Sequence, residues 1–354
     1  MKIAVLGGGN GSTAAVADFT EAGHEVAWWR RGGDTGAGTL RLIDHAGERT
    51  VTAAATDDLA AAIRGAALIF VPTPAFAQED IARRLAPLLE DGQVVFLAPG
   101  SFGSVLMARI AAGAGSRADV AWAETGTLPW LTRKQGEGAV RITTRASRLP
   151  TGVYPARLTD HAIAVIAAAF PACAIEPLDD ALSGALMNAG PIIHPPLILM
   201  NAGPIEHFDR WDIHNEGTQP SIRRVHDALD AERIAVREAL GYGGPHFPLR
   251  DHYETSDWMY GNLAHDKLVG SGDWHEKLSL TDHRYMTEDV EVGLAFLVSV
   301  ADWAGVPAPV ATGLLALASA INGRDMRHGA RTLDGMGLAD QPPAALQARL
   351  REGF

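Results

Sequence analysis

Five strand-forming residues, Lys2-Ile3-Ala4-Val5-Leu6, run directly into Gly7-Gly8-Gly9-Asn10-Gly11-Ser12 and then into a stretch of small residues, 13–17. No other feature restricts the chain as much. A strand that ends in a glycine turn and opens a helix is how a dinucleotide-binding α/β unit begins. Gly7 permits the tight turn and Gly9 lets a pyrophosphate approach the backbone. Ser12 is small enough for the helix to pack close to the strand, and the first N–H groups of that helix face the phosphates. Ser12 stands where the Gly-x-Gly-x-x-Gly spacing has its last glycine, and Gly9, Gly11 and Ala14 repeat the spacing two residues on. The expected cofactor contacts here are Gly7, Gly9, Asn10, Gly11 and Ser12. The plainer alternative is a glycine-rich turn without a ligand.

The second strand, 25–29, closes with Arg30-Arg31-Gly32-Gly33. Arginine at this point suits the 2′-phosphate of NADP, whereas NAD-preferring sites usually carry an acid for the ribose hydroxyls. NADP is therefore favoured over NAD, with Arg30 and Arg31 as its ligands. In the alternative they are solvated loop charges and Asp34 serves the ribose. Strand and helix signals then alternate: a strand over 49–54, a short helix capped by Asp57-Asp58, and the apolar strand 67–71. That strand ends at Pro72-Thr73-Pro74, which adds Thr73 to the cofactor contacts. A helix over 80–89, a strand over 94–97, a glycine-rich loop at 99–104, a helix over 105–112 and a strand over 120–123 follow. Further strands near 139–145 and 173–177, with a helix at 159–169 between them, finish the sheet. This is an α/β fold: an N-terminal doubly wound Rossmann-type parallel sheet.

Beyond Asp179-Asp180 the period changes. Ile222, Val225, Leu229, Val236 and Leu240 line one helix, Leu294, Leu297, Val298 and Ala301 a second, and 310–321 a third. The expected division is an NAD(P)-binding Rossmann domain over 1–178 and an all-helical substrate and catalytic domain over 179–354, with a cleft between them. Residues 241–288 read as a long ordered loop region or lid.

A chain of 354 residues is comfortable for two domains, and 47% hydrophobic content supplies their cores. The net charge of −12 repels nucleic acid and anionic membranes, so neither is expected as a partner. The single cysteine, Cys173, forms neither an internal disulfide nor a cysteine metal cluster. The opening apolar run is short and reads as a strand, not a signal peptide, and no apolar stretch reaches membrane-spanning length. The expected location is the cytoplasm. Thirteen histidines invite a metal reading, but His-Glu-x-x-His is absent, and the pairs His246/His252 and His275/His283 lack a ligand spacing. Gly100-Ser101-Phe102-Gly103 misses the spacing of a serine-hydrolase elbow.

Four stretches together resemble the opine dehydrogenases of the octopine/nopaline type. They are the glycine turn; Glu124-Thr125 with Leu128-Pro129-Trp130 and Arg133; residues 188–195 from Asn188 to Pro195; and His283-Arg284-Tyr285-Met286-Thr287-Glu288-Asp289-Val290 with Gly293-Leu294. Glu216-Gly217 and Asp230-Ala231-Glu232-Arg233 extend the resemblance, which spans nearly the whole chain. The chain departs at Ile213-His214-Asn215, where the family often has an aromatic pair. His194, between Ile193 and two prolines, is by its chemistry either a core histidine or an imidazole that exchanges a proton near neutral pH. The resemblance implies the second, with Asp289 as its orienting acid and Glu288 as the substitute. Read alone, Asp289 also suits the first turn of the following helix as a cap. Arg284 has the fork that reads a carboxylate, and the resemblance places a carboxylate-binding arginine there. Asn188 is a substrate hydrogen-bonder or a turn residue, and Thr125 completes the substrate contacts.

The resemblance implies an NAD(P)H-dependent enzyme acting on CH–NH groups. It joins a 2-oxo acid to an amino acid or amine and reduces the imine to a secondary amine, or runs the reverse oxidation. Its partners are those small molecules, and apolar helices at 290–322 leave a homodimer open. The rival readings are a reductase of a simple 2-oxo or 2-hydroxy acid and a non-catalytic NADPH-binding sensor.

Overall fold

The first strand forms where expected because every residue after Lys2 in it is apolar and fully buried. In the computed structural model, which describes residues 1–354 except 33–37, 262–263 and 275–276, twelve strands appear among the described residues. They are β1 (Lys2–Leu6), β2 (Glu25–Trp29), β3 (Thr39–Asp44), β4 (Gly47–Thr52), β5 (Ala55–Thr56), β6 (Leu68–Val71), β7 (Val94–Leu97), β8 (Ala121–Thr125), β9 (Trp130–Lys134), β10 (Ala139–Arg145), β11 (Arg148–Tyr154) and β12 (Ala174–Pro177). Eight form one sheet in the order β12-β11-β8-β7-β6-β1-β2-β5. From β5 to β8 all neighbours are parallel, with Ile3 opposite both Val26 and Leu68. The interior strands β6 and β7 are buried on both faces, as the covered centre of a parallel sheet requires.

The structure departs from the expected sheet in two places. β11 pairs antiparallel to β8, so β11 and its parallel neighbour β12 run against the rest. Also, the strands near 49–54 and 139–145 do not join this sheet. They belong to a separate four-stranded sheet, β4-β3-β10-β9. Its strands alternate buried and exposed positions, Leu40 and Leu42 turning in between exposed Thr39 and Arg41. That is the signature of a sheet covered on one face. The covering element is the helix Asn10–Glu21. Trp130 Nε1 donates to Asp18 Oδ2 at 2.8 Å, and Arg145 bridges Asp18 and Asp44. Arg49 and Arg145 together hold the Asp44 carboxyl well below the usual range.

Phe19 on that helix joins the two sheets. Its ring lies 5.7 Å from Phe70 of β6 and 5.8 Å from Trp130 of β9, in edge-to-face geometry, with Phe170 at 5.0 Å and Phe96 behind Phe70.

Two compact units emerge, Met1–Ala185 with the returning tail Arg349–Phe354, and Leu186–Ala348. Phe354 ties the tail to the first unit by donating its N–H to Tyr154 at 2.7 Å. No strand occurs in the second unit among its described residues. Its helices include Gly190–Met200, Pro220–Ala239, Ala295–Ala304 and Pro309–Asn322. The 241–288 stretch carries two short helices, Arg250–Glu254 and Ala264–Ser271. Asp230 and Arg233, buried on the Pro220–Ala239 helix, pair at 2.6 Å, and Glu232 accepts the N–H groups of Val310 and Ala311 in the first turn of the Pro309–Asn322 helix. No helix among the described residues is long and apolar enough to cross a membrane.

Because Phe70 contacts Phe19, Phe96, Trp130 and Phe170, Phe70→Ala removes the centre of that cluster. The expected loss is about 3–5 kcal/mol of unfolding free energy, measurable by urea denaturation.

Candidate active site

In the first unit the glycine turn is built by close approach. Gly7 has φ +111°, and a Cβ there would lie 2.9 Å from Ser12 Oγ and 3.0 Å from Thr73 Cγ2. Ser12 Oγ donates to the Leu6 carbonyl at 3.2 Å, tying the helix start to the strand end. Gly9 precedes the helix Asn10–Glu21 and has open space over it: a Cβ would meet nothing within 4 Å. No side chain caps the helix, so its first N–H groups are available to an anion. Gly11 sits under Leu128, whose Cδ1 is 2.8 Å from where a Cβ would be.

Two cations border Gly8. Arg30 lies where a side chain on Gly8 would project, its Nε 2.9 Å from that point and its guanidinium 5.2 Å from the Trp28 ring centre. Lys134, at the end of β9, donates its N–H to Asn10 Oδ1 at 2.9 Å, and its ammonium stands 3.5 Å from the Gly8 carbonyl. Arg31 turns away to Asp80 at 2.7 Å, an acid that also holds Arg84. Asp34 lies outside the described residues, as does His275. Thr73 Oγ1 and Ser104 Oγ are buried without a hydrogen-bond partner. An uncapped helix start, an open glycine, two cations and the Thr73 hydroxyl beside Gly7 fit a phosphate-bearing dinucleotide. Thr125 is fully buried in β8 and commits its hydroxyl proton to the Pro150 carbonyl at 2.8 Å, which leaves only lone pairs for any ligand.

In the second unit the structure brings together His194 and Asp289, 95 residues apart. Nδ1 of His194 is 2.8 Å from Asp289 Oδ2. A carboxylate accepts, so Nδ1 carries the hydrogen and Nε2 keeps the lone pair. Burial lowers the His194 pKa from the usual 6.5, the Asp289 carboxylate pulls it back up, and Arg284 and His283 add to the depression. His194 rides on the Gly190–Met200 helix, whose Pro195 and Pro196 have no N–H to return to the carbonyls of Pro191 and Ile192. His226 supports that turn: its Nε2 lies 2.9 Å from the Ile193 carbonyl. Burial depresses the His226 pKa to about 4, which keeps it a neutral donor at pH 7.

Asp289 lies in the middle of Tyr285–Leu294, a stretch of wide π-helical turns that continues into Ala295–Ala304, so it is not an N-terminal cap. Such turns are rare and cluster at functional sites. Arg284 precedes the stretch and is exposed, and Glu288 is half-buried. Asn188 is buried and accepts the Gly190 N–H at 3.0 Å, the turn role open to it from sequence. Tyr285, His214, His226 and Lys134 also enter these arrangements and were not singled out from sequence. Only Lys134 left a usable signal, a cation that closes β9 just before the short turn into β10.

Residues 177–322 match the family described as NAD/NADP octopine/nopaline dehydrogenase, alpha-helical domain. The chain is 30% identical over 369 residues to vitopine synthase of Allorhizobium ampelinum, covering 97% of each. It is 26% identical over 362 residues to opine dehydrogenase of Arthrobacter sp. (strain 1C), covering 98% of this chain and 97% of that one. Among solved structures, octopine dehydrogenase in complex with NADH and agmatine has the same fold, with a TM-score of 0.70 at 21% identity over 96% of this chain and 98% of that one.

A Cβ on Gly190 would fall 2.1 Å from Asp289 Oδ1, and one on Gly293 2.2 Å from Pro191 Cγ. Gly190→Ala is expected to push Asp289 off His194 and to destabilise the second unit by about 1–3 kcal/mol. Retention of the downfield Nδ1–H resonance of His194 in this variant would contradict that expectation.

Proposed function

Because this chain belongs to the opine dehydrogenase family, we propose that it condenses a 2-oxo acid with the amino group of an amino acid or amine and reduces the imine to a secondary amine, and that it runs the reverse oxidation. The observation that carries this is the His194–Asp289 hydrogen bond of 2.8 Å, a base with an orienting carboxylate. The chemistry that a bound nicotinamide dinucleotide supplies is hydride transfer. Gly7, Gly9, Asn10, Gly11, Ser12 and Thr73 hold its phosphates and ribose, and Arg30 reads a 2′-phosphate, so NADP is preferred to NAD, while Arg31 stays paired with Asp80.

His194 handles the protons. Its neutral Nε2 takes a proton from the substrate ammonium, freeing the amine to attack the oxo carbon. The same nitrogen returns the proton to the carbinolamine hydroxyl as it leaves as water. Asp289 holds the ring in the tautomer that leaves Nε2 free and stabilises the imidazolium that forms. Arg284 binds the oxo-acid carboxylate through its fork, with Asn188 and Thr125 as further substrate contacts. The enzyme works in the cytoplasm. A homodimer belongs to the same reading, with exposed Leu317 and Ile321 on the Pro309–Asn322 helix as its apolar material.

Consumption of NADPH should require both an oxo acid such as pyruvate and an amine, and should fall by roughly 10²–10⁴-fold in His194→Gln. Turnover with the oxo acid alone would favour the simple reductase, and none with any pair would favour the sensor. In the oxidative direction His194 must be neutral, so rate rises with pH through a midpoint below 6.5. Asp289 raises that midpoint, so Asp289→Asn should move it lower still.

Arg30→Ser should weaken NADPH binding, read by nucleotide fluorescence, by about 10–100-fold while leaving NADH within about twofold. Equal weakening of both would remove the 2′-phosphate role.

A further inference from the structure

Asp289 fixes one edge of the His194 ring, and a second element fixes its face. The Tyr285 ring lies on the imidazole with centroids 3.8 Å apart and planes 11° from parallel. The Tyr285 hydroxyl is hydrogen-bonded to His214 Nε2 at 2.8 Å. His214 is itself set in place, its backbone N–H donating to Asp212 Oδ1 at 3.1 Å and its ring edge-on to Trp274 at 5.2 Å. Tyr285, His214 and Asp212 are all buried. A chain of fixed contacts therefore runs from Asp212 through His214 and Tyr285 to the face of His194.

We propose that Tyr285, anchored by His214, is a positioning residue that holds the His194 imidazole in plane and stabilises its protonated form. The inference rests on the reading of His194 as the proton carrier. A phenol ring presents negative quadrupole density at its face, and an imidazolium laid flat on it is attracted as a cation. A stack this close also removes the ring rotation that the Nδ1 bond alone would permit. The hydroxyl bond to His214 is what keeps the tyrosine there.

The groups that face His194 from the packed elements define its balance. From the 283–294 segment come Asp289, which favours the charged form, and Arg284 and His283, which oppose it. His226 approaches from the Pro220–Ala239 helix and is neutral. His214 stands edge-on at 6.0 Å. Against burial, only Asp289 among these titratable groups clearly supports the imidazolium, and the Tyr285 face adds the second support.

The test is an NMR titration of the His194 ring in the full chain, its resonances assigned by their loss in His194→Gln. Tyr285→Leu should lower the His194 midpoint by about one pH unit. Tyr285→Phe and His214→Leu, which leave a ring without its anchor, should lower it by a smaller, measurable amount. His214→Gln, which can still hydrogen-bond the hydroxyl, should restore it. An unchanged midpoint in a Tyr285→Leu protein with native thermal stability overturns the proposal. If that variant does not fold, unchanged midpoints in both Tyr285→Phe and His214→Leu overturn it equally. The titration needs no substrate, so it fails separately from the functional reading. A shifted midpoint without turnover of any substrate pair leaves this inference standing and the proposed function refuted. Turnover with an unshifted midpoint does the reverse.

Discussion

The second unit depends on two glycines that let two helical segments touch. Gly190 opens one segment and Gly293 lies near the end of the other, and each leaves room for a group of the partner: Asp289 Oδ1 over Gly190, Pro191 Cγ over Gly293. Any larger residue at either place would have to displace a carboxylate or a proline ring by more than an ångström. Backbones this close turn a pair of residues 95 positions apart into a hydrogen bond of 2.8 Å. The π-helical winding of Tyr285–Leu294 belongs to the same solution. Wider turns change the angular spacing of side chains, so Tyr285 and Asp289 can both serve one imidazole, at its face and at its edge.

The first unit solves a related problem with a second sheet. A chain with a net charge of −12 has an overall field that opposes any phosphate or carboxylate ligand. Cations must therefore stand close to where the anion goes, inside the distance at which salt screens them. Arg30 arrives there from the end of β2, next in sequence to the sheet that carries the turn. Lys134 arrives from β9, and β9 is in place because the four-stranded sheet packs on the Asn10–Glu21 helix through Trp130, Asp18 and Arg145. Phe19 makes that packing and the main-sheet packing a single core. The helix whose N-terminus faces the glycine turn is thus clamped on two sides, which fixes the direction of its free N–H groups.

Much of this was legible in the sequence, for reasons of period and composition. Strands β6 and β7 are short and wholly apolar, as is β1 after Lys2, and each runs into Gly or Pro within two residues of its end, and buried parallel strands can hardly look otherwise. The helices of the second unit show their 3.6-residue period over long stretches. What escaped had a mixed signal. β3 reads Thr-Leu-Arg-Leu-Ile-Asp, half of it polar, and β11 contains Pro150 and Gly152, residues that usually argue against a strand. Gly152 is there because a Cβ would strike the Asp180 carbonyl at 2.3 Å, a contact no local pattern announces. Which sheet a strand joins is a long-range fact, so the local pattern of 139–145 does not distinguish the large sheet from the four-stranded one that it joins. At the site, residue types with an intrinsic chemistry, His194, Asp289 and Arg284, stand out from the sequence. Tyr285 and His214 do not, because their importance lies entirely in what they touch.

Burial then decides where a proton can reside among the histidines of the second unit. His226 and His252 are both buried, and loss of hydration holds them near 4 and near 3, so each is neutral at any pH at which the enzyme would work. His252 keeps Nδ1 without a hydrogen-bond partner and packs 4.6 Å from Trp258, an apolar role for a polar ring. His194 suffers the same desolvation but is opposed by an adjacent carboxylate. Of these three imidazoles it alone has a counter-charge within hydrogen-bond reach, so a proton entering the cluster gains most by residing there. The depressed neighbours matter for this selectivity: a second imidazole with an ordinary pKa beside Ile193 would compete for the proton and, once charged, repel it from His194. A buried proton site needs both a partner that stabilises the charge and neighbours that refuse it, and the packing around Ile193 and Asp289 provides both.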